Sequence, residues 1–338
     1  MRILVTGATG FLAGNLIPAL QQRGHTIRGL VVPSGDATWL EERGVRVYRG
    51  DVREPSSLTA AMRDVDAVFH LAAAIGTRRP MKDYYAINVT GTKNVCRAAL
   101  RAGVTRLVHV STTSVYKHGL SEPVSEDSPL RPLPDPYPLT KAAGDKLVQR
   151  MILEQQLPAC IVRTSTIFGP GDHLNFGRIA DRLLARKAII IGAGRNAVPF
   201  VYVSDVVQGL MLALERRRAE GQVYNIDVDQ CPTQEELLRE IAEQVGAKPP
   251  RLHVPYSLLY SAAYVAEGIA AFTHTSQALV SRFGIALYGA DNRYAIDKAR
   301  KELGYEPKVS LREGIRLAAA WYRENATVPR RFTAVTAV

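Results

Sequence analysis

The chain has 338 residues, 46% hydrophobic and 22% charged, the composition of a globular protein with length for one large domain or two closely joined ones. Lysine and arginine outnumber acidic residues 43 to 32, a formal charge of +11, yet they are scattered, with only short runs such as Arg216-Arg217-Arg218. No basic–aromatic alternation of a single-strand groove accompanies them, so nucleic acid is not an expected partner.

The opening residues, Met1-Arg2-Ile3-Leu4-Val5, read as a strand rather than a leader, so no signal peptide and a cytoplasmic location are expected. Cys96, Cys160 and Cys231 have neither metal-ligand nor redox spacing, which predicts reduced thiols and no metal site. Short runs rich in Val, Ile and Leu follow at 3–5, 27–32, 45–48, 67–71, 107–110 and 159–162. Longer amphipathic segments lie between them, at 12–22, 58–62 and 84–102. Strands apolar on both faces that alternate with helices predict an α/β fold, a Rossmann-type doubly wound parallel sheet.

The first strand runs into Gly7-Ala8-Thr9-Gly10-Phe11-Leu12-Ala13-Gly14. Gly7 suits a tight strand-to-helix turn, Gly10 lets a pyrophosphate approach the backbone, and Ala13 is small enough for helix–strand packing. The helix N-terminus then offers N–H groups to phosphates. Further on, Tyr137 and Lys141 stand four apart and share one face of a helix opened by Pro136-Tyr137-Pro138. A tyrosine beside a lysine ammonium is a competent acid/base, because the cation lowers the phenol's pKa.

After Gly169-Pro170-Gly171 the rhythm changes. The expected organisation is a nucleotide-binding domain over 1–170, rejoined by 199–230, and a smaller, mainly helical substrate lobe over 171–198 and 231–326. A tail at 327–338 is expected to be mobile. Residues 254–272 form the most apolar long stretch, read as an amphipathic lobe helix with weak membrane-surface contact as the alternative.

These motifs resemble the extended short-chain dehydrogenase/reductase family, the NAD-dependent epimerases and dehydratases. Thr6 through Ala13 match its glycine turn except that Ala13 replaces the last glycine. The resemblance implies cofactor contacts from Gly7, Thr9, Gly10, Phe11 and Leu12. It implies an adenine contact at Asp51-Val52 and a small-residue turn at Leu71-Ala72-Ala73 beside the nicotinamide ribose. It also implies a bracing amide at Asn88. Residues after the sixth strand, Thr164 and Thr166 among them, would face the nicotinamide and substrate. The family's strand-end hydroxyl maps onto Thr112 in Ser111-Thr112-Thr113-Ser114-Val115-Tyr116, with Ser111 a cofactor-side neighbour and Ser114 the fallback. The implied catalytic set is Thr112, Tyr137 and Lys141, with Lys141 also on the ribose hydroxyls. At the end of the second strand Val31 stands where an acid would bind the 2′-hydroxyl, and Val32 where many NADP users carry arginine. With no acid to repel a 2′-phosphate, NADP is favoured over NAD.

Three reactions compete. A dehydratase of this family carries Asp-Glu where this chain has Thr113-Ser114. A nucleotide-sugar epimerase carries a diphosphate-binding arginine where this chain has Val198, although Arg195 and Arg293 are possible substitutes. Gly194-Arg195-Asn196, the helix after His253-Val254-Pro255-Tyr256, and Asp291-Asn292-Arg293-Tyr294 resemble the 3β-hydroxysteroid dehydrogenase branch. The favoured expectation is a secondary alcohol–ketone oxidoreductase for an apolar or sterol-like small molecule, with a UDP-sugar epimerase as the alternative. A non-catalytic NAD(P)-sensing regulator would lose the tyrosine or lysine, and both are present. Relatives pair through helices, so a homodimer through 84–102 and 138–154 is expected.

Overall fold

The computed structural model describes residues 1–76, 79–272 and 281–325, with side chains of 270–272 left aside; the tail at 327–338 lies outside them. The first strand, β1 (Arg2–Thr6), leads through the glycine turn into α1 (Phe11–Gln22). Then come β2 (Thr26–Val31), α2 (Thr38–Glu41), β3 (Arg46–Arg49), α3 (Pro55–Met62) and β4 (Ala67–His70). A helical region of α4 (Met81–Tyr85), a π-helical turn (Ala86–Gly91) and α5 (Thr92–Arg101) precedes β5 (Arg106–Thr112). The long α6 (Pro136–Gln155) and β6 (Ala159–Thr164) follow.

The remaining chain forms β7 (Thr166–Phe168), α7 (Phe176–Leu184), β8 (Ile190–Ile191), β9 (Phe200–Tyr202), α8 (Val203–Glu215) and β10 (Val223–Ile226). It ends with α9 (Gln234–Val245), β11 (His253–Val254), α10 (Tyr256–Phe272), α11 (Arg282–Gly289), α12 (Asp297–Leu303) and α13 (Leu311–Asn325).

Seven strands form one parallel sheet in the order β3-β2-β1-β4-β5-β6-β10. The expected doubly wound architecture is therefore present, and its strands show why the sequence lacked alternation. Ile3 and Val5 pack into a cluster with Leu16, Ile17 and Leu20 of α1 and Val206 and Leu210 of α8. Leu4, between them, points the other way, into a cluster with Leu58, Val95, Leu147 and Val148. A strand covered on both faces buries every side chain, so period two disappears from its hydropathy. A third cluster, around Phe168, Phe176, Phe200, Ile241 and Ile315, builds the lobe. Two parallel strand pairs, β7 with β9 and β8 with β11, lie beside it.

The spacing predicts one helix over 84–102, and here the structure differs. The π-helical turn interrupts it and carries Asn88 inward. The Asn88 amide accepts from Ala74 N (2.8 Å) and donates to Ala74 O (3.2 Å) and to the Thr140 hydroxyl (3.0 Å). Its carbonyl sits so close to α6 that a Cβ at Gly144 would lie 2.4 Å from it. The wide turn thus ties the loop after β4 to α6, a purpose that π-turns at functional sites often serve.

Candidate active site

Gly7 has φ +67°, and a Cβ there would lie 2.8 Å from Ala72 N and 2.9 Å from Ala72 Cα. The turn after β1 and the loop after β4 therefore touch backbone to backbone, which excludes any side chain. Thr6 reinforces the contact, its hydroxyl accepting from Ala72 N at 3.3 Å. Gly10 differs: it is exposed, and a Cβ would meet only Gly7 O, at 3.2 Å. No side chain caps α1 at Gly10, so the first N–H groups of the helix point outward beside Thr9, Phe11 and Leu12. An uncapped helix start behind a glycine turn fits a dinucleotide's pyrophosphate. Ala13 is buried at 1% exposure among β1 and α8 residues.

Other residues singled out for the cofactor are divided. Leu71, Ala72 and Ala73 are half-buried on the loop after β4, and Val32 is half-buried after β2. Val31 is buried in the core. Arg28 donates to Ala61 O and Arg63 O, which keeps it off the end of β2. Asp51 is engaged by Arg53, whose Nε donates at 3.0 Å and whose backbone N donates at 2.8 Å. Burial pushes the Asp51 carboxyl up, but the bonds and charge of Arg53 outweigh it and leave the pKa lowered. Val52 is buried against Gly91. Thr164 is buried and Thr166 half-buried, side by side with β5 and β9.

The acid/base candidates converge at the C-terminal ends of β4, β5 and β6. Asp135 caps α6 by accepting from Tyr137 N (3.1 Å), and Pro136 occupies the first helical position. Burial raises the pKa of the Tyr137 phenol, and the Thr112 hydroxyl, by favouring the phenolate, opposes the rise. Thr112 Oγ1 also accepts from Ser114 N at 3.2 Å. One turn along α6, Lys141 Nζ donates to Val110 O at 2.7 Å. Burial brings the Lys141 ammonium down to about 8, and nearby Asp145 resists that fall.

The Ser111 hydroxyl donates to Asp145 Oδ2 at 2.7 Å, one turn of α6 beyond Lys141. There Arg163 meets Asp145 through two bonds of 2.8 and 2.9 Å, and its Nη1 donates to the Tyr116 hydroxyl at 2.6 Å. Side-chain exposure in this ion pair is 2% and 0%, and every polar atom of the carboxylate is paired.

Several neighbours escaped the sequence reading. His70 is bonded by the Thr6 and Thr92 hydroxyls (2.8 and 3.0 Å), and its ring lies 5.3 Å from that of His109. Burial, with help from Lys141, holds both rings neutral; His70 is brought down to about 3. The signal was available, since His109 interrupts the apolar run 107–110. Phe283 of α11 lies over Tyr137 with ring centroids 6.2 Å apart, and over His118 at 6.0 Å. Glu267 of α10 holds that helix start in place, accepting from Arg282 N (2.7 Å) and Nε (2.6 Å).

In the lobe, Val198 is wholly buried in the aromatic core. Arg195 is exposed, and Arg293 pairs with Asp291 at 3.4 Å. Asp205 of α8 accepts from Lys308 N and Val309 N, an anchoring role for the motif around Phe200.

A parallel sheet with an uncapped glycine turn at one strand end and a tyrosine–lysine pair two strands away defines a dinucleotide-dependent enzyme. The chain belongs to the NAD dependent epimerase/dehydratase family, whose model matches residues 3–227. It is 31% identical to a 4-hydroxy-2-methyl-3-oxo-4-farnesyl-3,4-dihydroquinoline-1-oxide ketoreductase of Stigmatella aurantiaca, over 93% of this chain and 95% of that one. It is 29% identical to a 3-beta-hydroxysteroid dehydrogenase of Mycolicibacterium neoaurum, over 96% and 92% of the two chains. Among solved structures, UDP-glucuronic acid 4-epimerase from Bacillus cereus, in complex with NAD, superposes with a TM-score of 0.76 at 25% identity. That match covers 96% of this chain and 99% of the epimerase. The resemblance to extended short-chain dehydrogenases/reductases thus holds along the whole chain, and the protein is an NAD(P)-dependent enzyme.

Proposed function

We propose that the enzyme interconverts a secondary alcohol and a ketone on an apolar small molecule, with Tyr137 as acid/base. The observation that carries this reading is the grouping of the half-buried Tyr137 phenol with the Thr112 hydroxyl, and with buried Lys141 one helical turn away. When bound, the nicotinamide gives or takes the hydride. Thr112 orients the phenol and offers its hydroxyl to the substrate oxygen. Tyr137, held protonated by burial, donates to the oxygen as it gains charge in reduction. Lys141 exchanges its bond to Val110 O for the ribose hydroxyls, and its charge then favours the phenolate needed for oxidation. Gly7, Thr9, Gly10, Phe11 and Leu12 would hold the pyrophosphate end, with Leu71, Ala72 and Ala73 along the ribose.

An apolar substrate is supported by Phe283 over Tyr137 and by Val198, which is core rather than a diphosphate contact. The relatives named for farnesyl-quinoline and steroid substrates agree with it. NADP is favoured over NAD because no acid stands at Val31 or Val32, while exposed Arg49, bonded to Gly35 O, stands beside the turn after β2. We also read α5 and α6 as a homodimer face, around Tyr85, Lys93 and Ala143, and the exposed Leu258 and Val265 of α10 as a weak membrane-surface contact. No helix among the described residues is long and apolar enough to cross a membrane.

The UDP-sugar epimerase reading is kept by the likeness to the Bacillus cereus enzyme. Incubation with NADPH or NADH and either hydrophobic ketones or UDP-sugars separates the two. Net consumption of reduced cofactor with ketones supports the oxidoreductase. Isomerised UDP-sugar without net consumption sinks it.

A further inference from the structure

His118 follows the 3₁₀ turn after β5 and is 9% exposed. Its Nδ1 lies 3.0 Å from Asn292 Oδ1, which also accepts from Gly119 N at 3.3 Å. The amide of Asn292 can point only one way. Its Nδ2 faces three carbonyls, Ala286 O, Leu287 O and Ala290 O, at 3.0 to 3.2 Å, where an oxygen would be repelled. Oδ1 therefore faces His118, and Nδ1 must carry the hydrogen. The other nitrogen, Nε2, is left with a bare lone pair in the neutral ring. Burial brings the ring's pKa down to about 4, the Asn292 bond resisting, so the neutral form prevails near pH 7. Yet Nε2 is buried and has no hydrogen-bond partner among the described residues.

A buried acceptor left unpaired forfeits the bond it would make to water, so its persistence calls for a donor that arrives with a ligand. Its location identifies that ligand. The His118 ring stands edge-on to Phe283, and the same Phe283 ring packs on Tyr137. The ring that carries the unpaired acceptor and the acid/base thus both pack on Phe283.

We propose that His118 is a specificity-determining residue whose Nε2 accepts a hydrogen bond from a hydroxyl or N–H of the substrate, so that the enzyme selects ketones or alcohols carrying a second donor group. This rests on the oxidoreductase reading and names a substrate feature that reading leaves open. A site built around a polar contact discriminates strongly against an analogue lacking it, because the buried group is then stranded.

The test uses the full-length enzyme, NADPH or NADH, and alkyl-substituted cyclic ketones bearing a free hydroxyl, each paired with its O-methyl ether. Wild type should prefer the hydroxyketone of at least one pair tenfold or more in kcat/KM. His118→Ala should collapse that preference to within about twofold by slowing only the hydroxyketone, and His118→Gln, whose amide oxygen accepts, should restore part of it. A preference that persists in His118→Ala, or equal use of every pair by wild type, overturns the proposal. So does a tenfold loss of cofactor affinity in His118→Ala with selectivity intact. If the variants do not fold, ¹⁵N-histidine spectra of the wild type replace them: the His118 Nε2 resonance should shift on adding hydroxyketone and stay still with the ether, and the reverse overturns the proposal. Tyr137→Phe on the ethers reports separately on the oxidoreductase reading, since they lack the donor but keep the ketone.

Discussion

Two polar assemblies follow one another along α6, and they differ in how completely they are satisfied. In the middle of the helix, Asp145 and Arg163 pair with each other and with Ser111, Gln149 and Tyr116. One and two turns earlier, Lys141 holds a single bond to Val110 O and the half-buried Tyr137 phenol has the Thr112 hydroxyl beside it, while His118 keeps an acceptor with no partner among the described residues. Buried groups occur in both, Lys141 and His118 at 5% and 9% exposed against 1% and 0% for Arg163 and Asp145, so burial alone does not separate structure from function here. Unused bonding capacity does: the closed network specifies the core, and the open one waits for a ligand.

The sharpest way to break that contrast is to cut one member of each network. Tyr137→Phe should lower turnover by about 100- to 10,000-fold while leaving stability within about 0.5 kcal/mol. Arg163→Met should cost about 3–5 kcal/mol by stranding the Asp145 carboxylate. Steady-state rates and urea melts measured on both variants would refute the distinction if Tyr137→Phe melted early or stayed active, or if Arg163→Met melted like wild type.

The two turn glycines offer a smaller contrast of the same kind. Gly7→Ala should destabilise the cofactor-free protein by at least about 2 kcal/mol, through positive φ and overlap with Ala72. Gly10→Ala should leave its melting unchanged and weaken dinucleotide binding about tenfold or more, which calorimetry reads directly. Equal melting points for the two would show that Gly7 is not needed by the backbone contact.

The smallest effect is in pH. His118 titrates near 6.5 when unfolded and about 4 when folded, so its contribution to stability is complete above 6.5 and drains away as pH falls toward 4. Asp172 and Asp227, pushed up by burial to about 6 and about 7, pull the opposite way. The informative quantity is the difference between wild type and His118→Gln. It should fall by about 1.4 kcal/mol per pH unit between 6.5 and 4.5, and a flat difference would mean the ring takes up its proton in the folded state.

The sheet was legible because its central strands are apolar on both faces, and the glycine turn because it sits at the first strand-to-helix junction. Tyr137 and Lys141 were legible through helical spacing. What stayed hidden came from contacts between distant segments. Nothing local tells that Phe283 lies over Tyr137, or that Asn292 fixes the tautomer of His118. That the Ser111 hydroxyl goes to Asp145, 34 residues on, was not legible from its strand. The bonds that Arg53 makes to Asp51 were not legible either, because Arg53 folds back only in the turn. Val198 stood out in the sequence only against an expected arginine, and only the packed lobe shows that it belongs to the core.

The π-helical turn at Ala86–Gly91 has a consequence for the history of the chain. Such a turn holds one residue more than an α-helix of equal rise, so it is the mark of a single-residue insertion kept in place. Deleting one residue there would give a smoother helix and swing everything before it by about 100°. Buried Tyr84, on the near side, would leave its pocket, and Asn88 would lose its hold on Ala74 and Thr140. Length variation among descendants of this sequence should therefore collect in its loops and spare these six residues, which regularity alone would shorten.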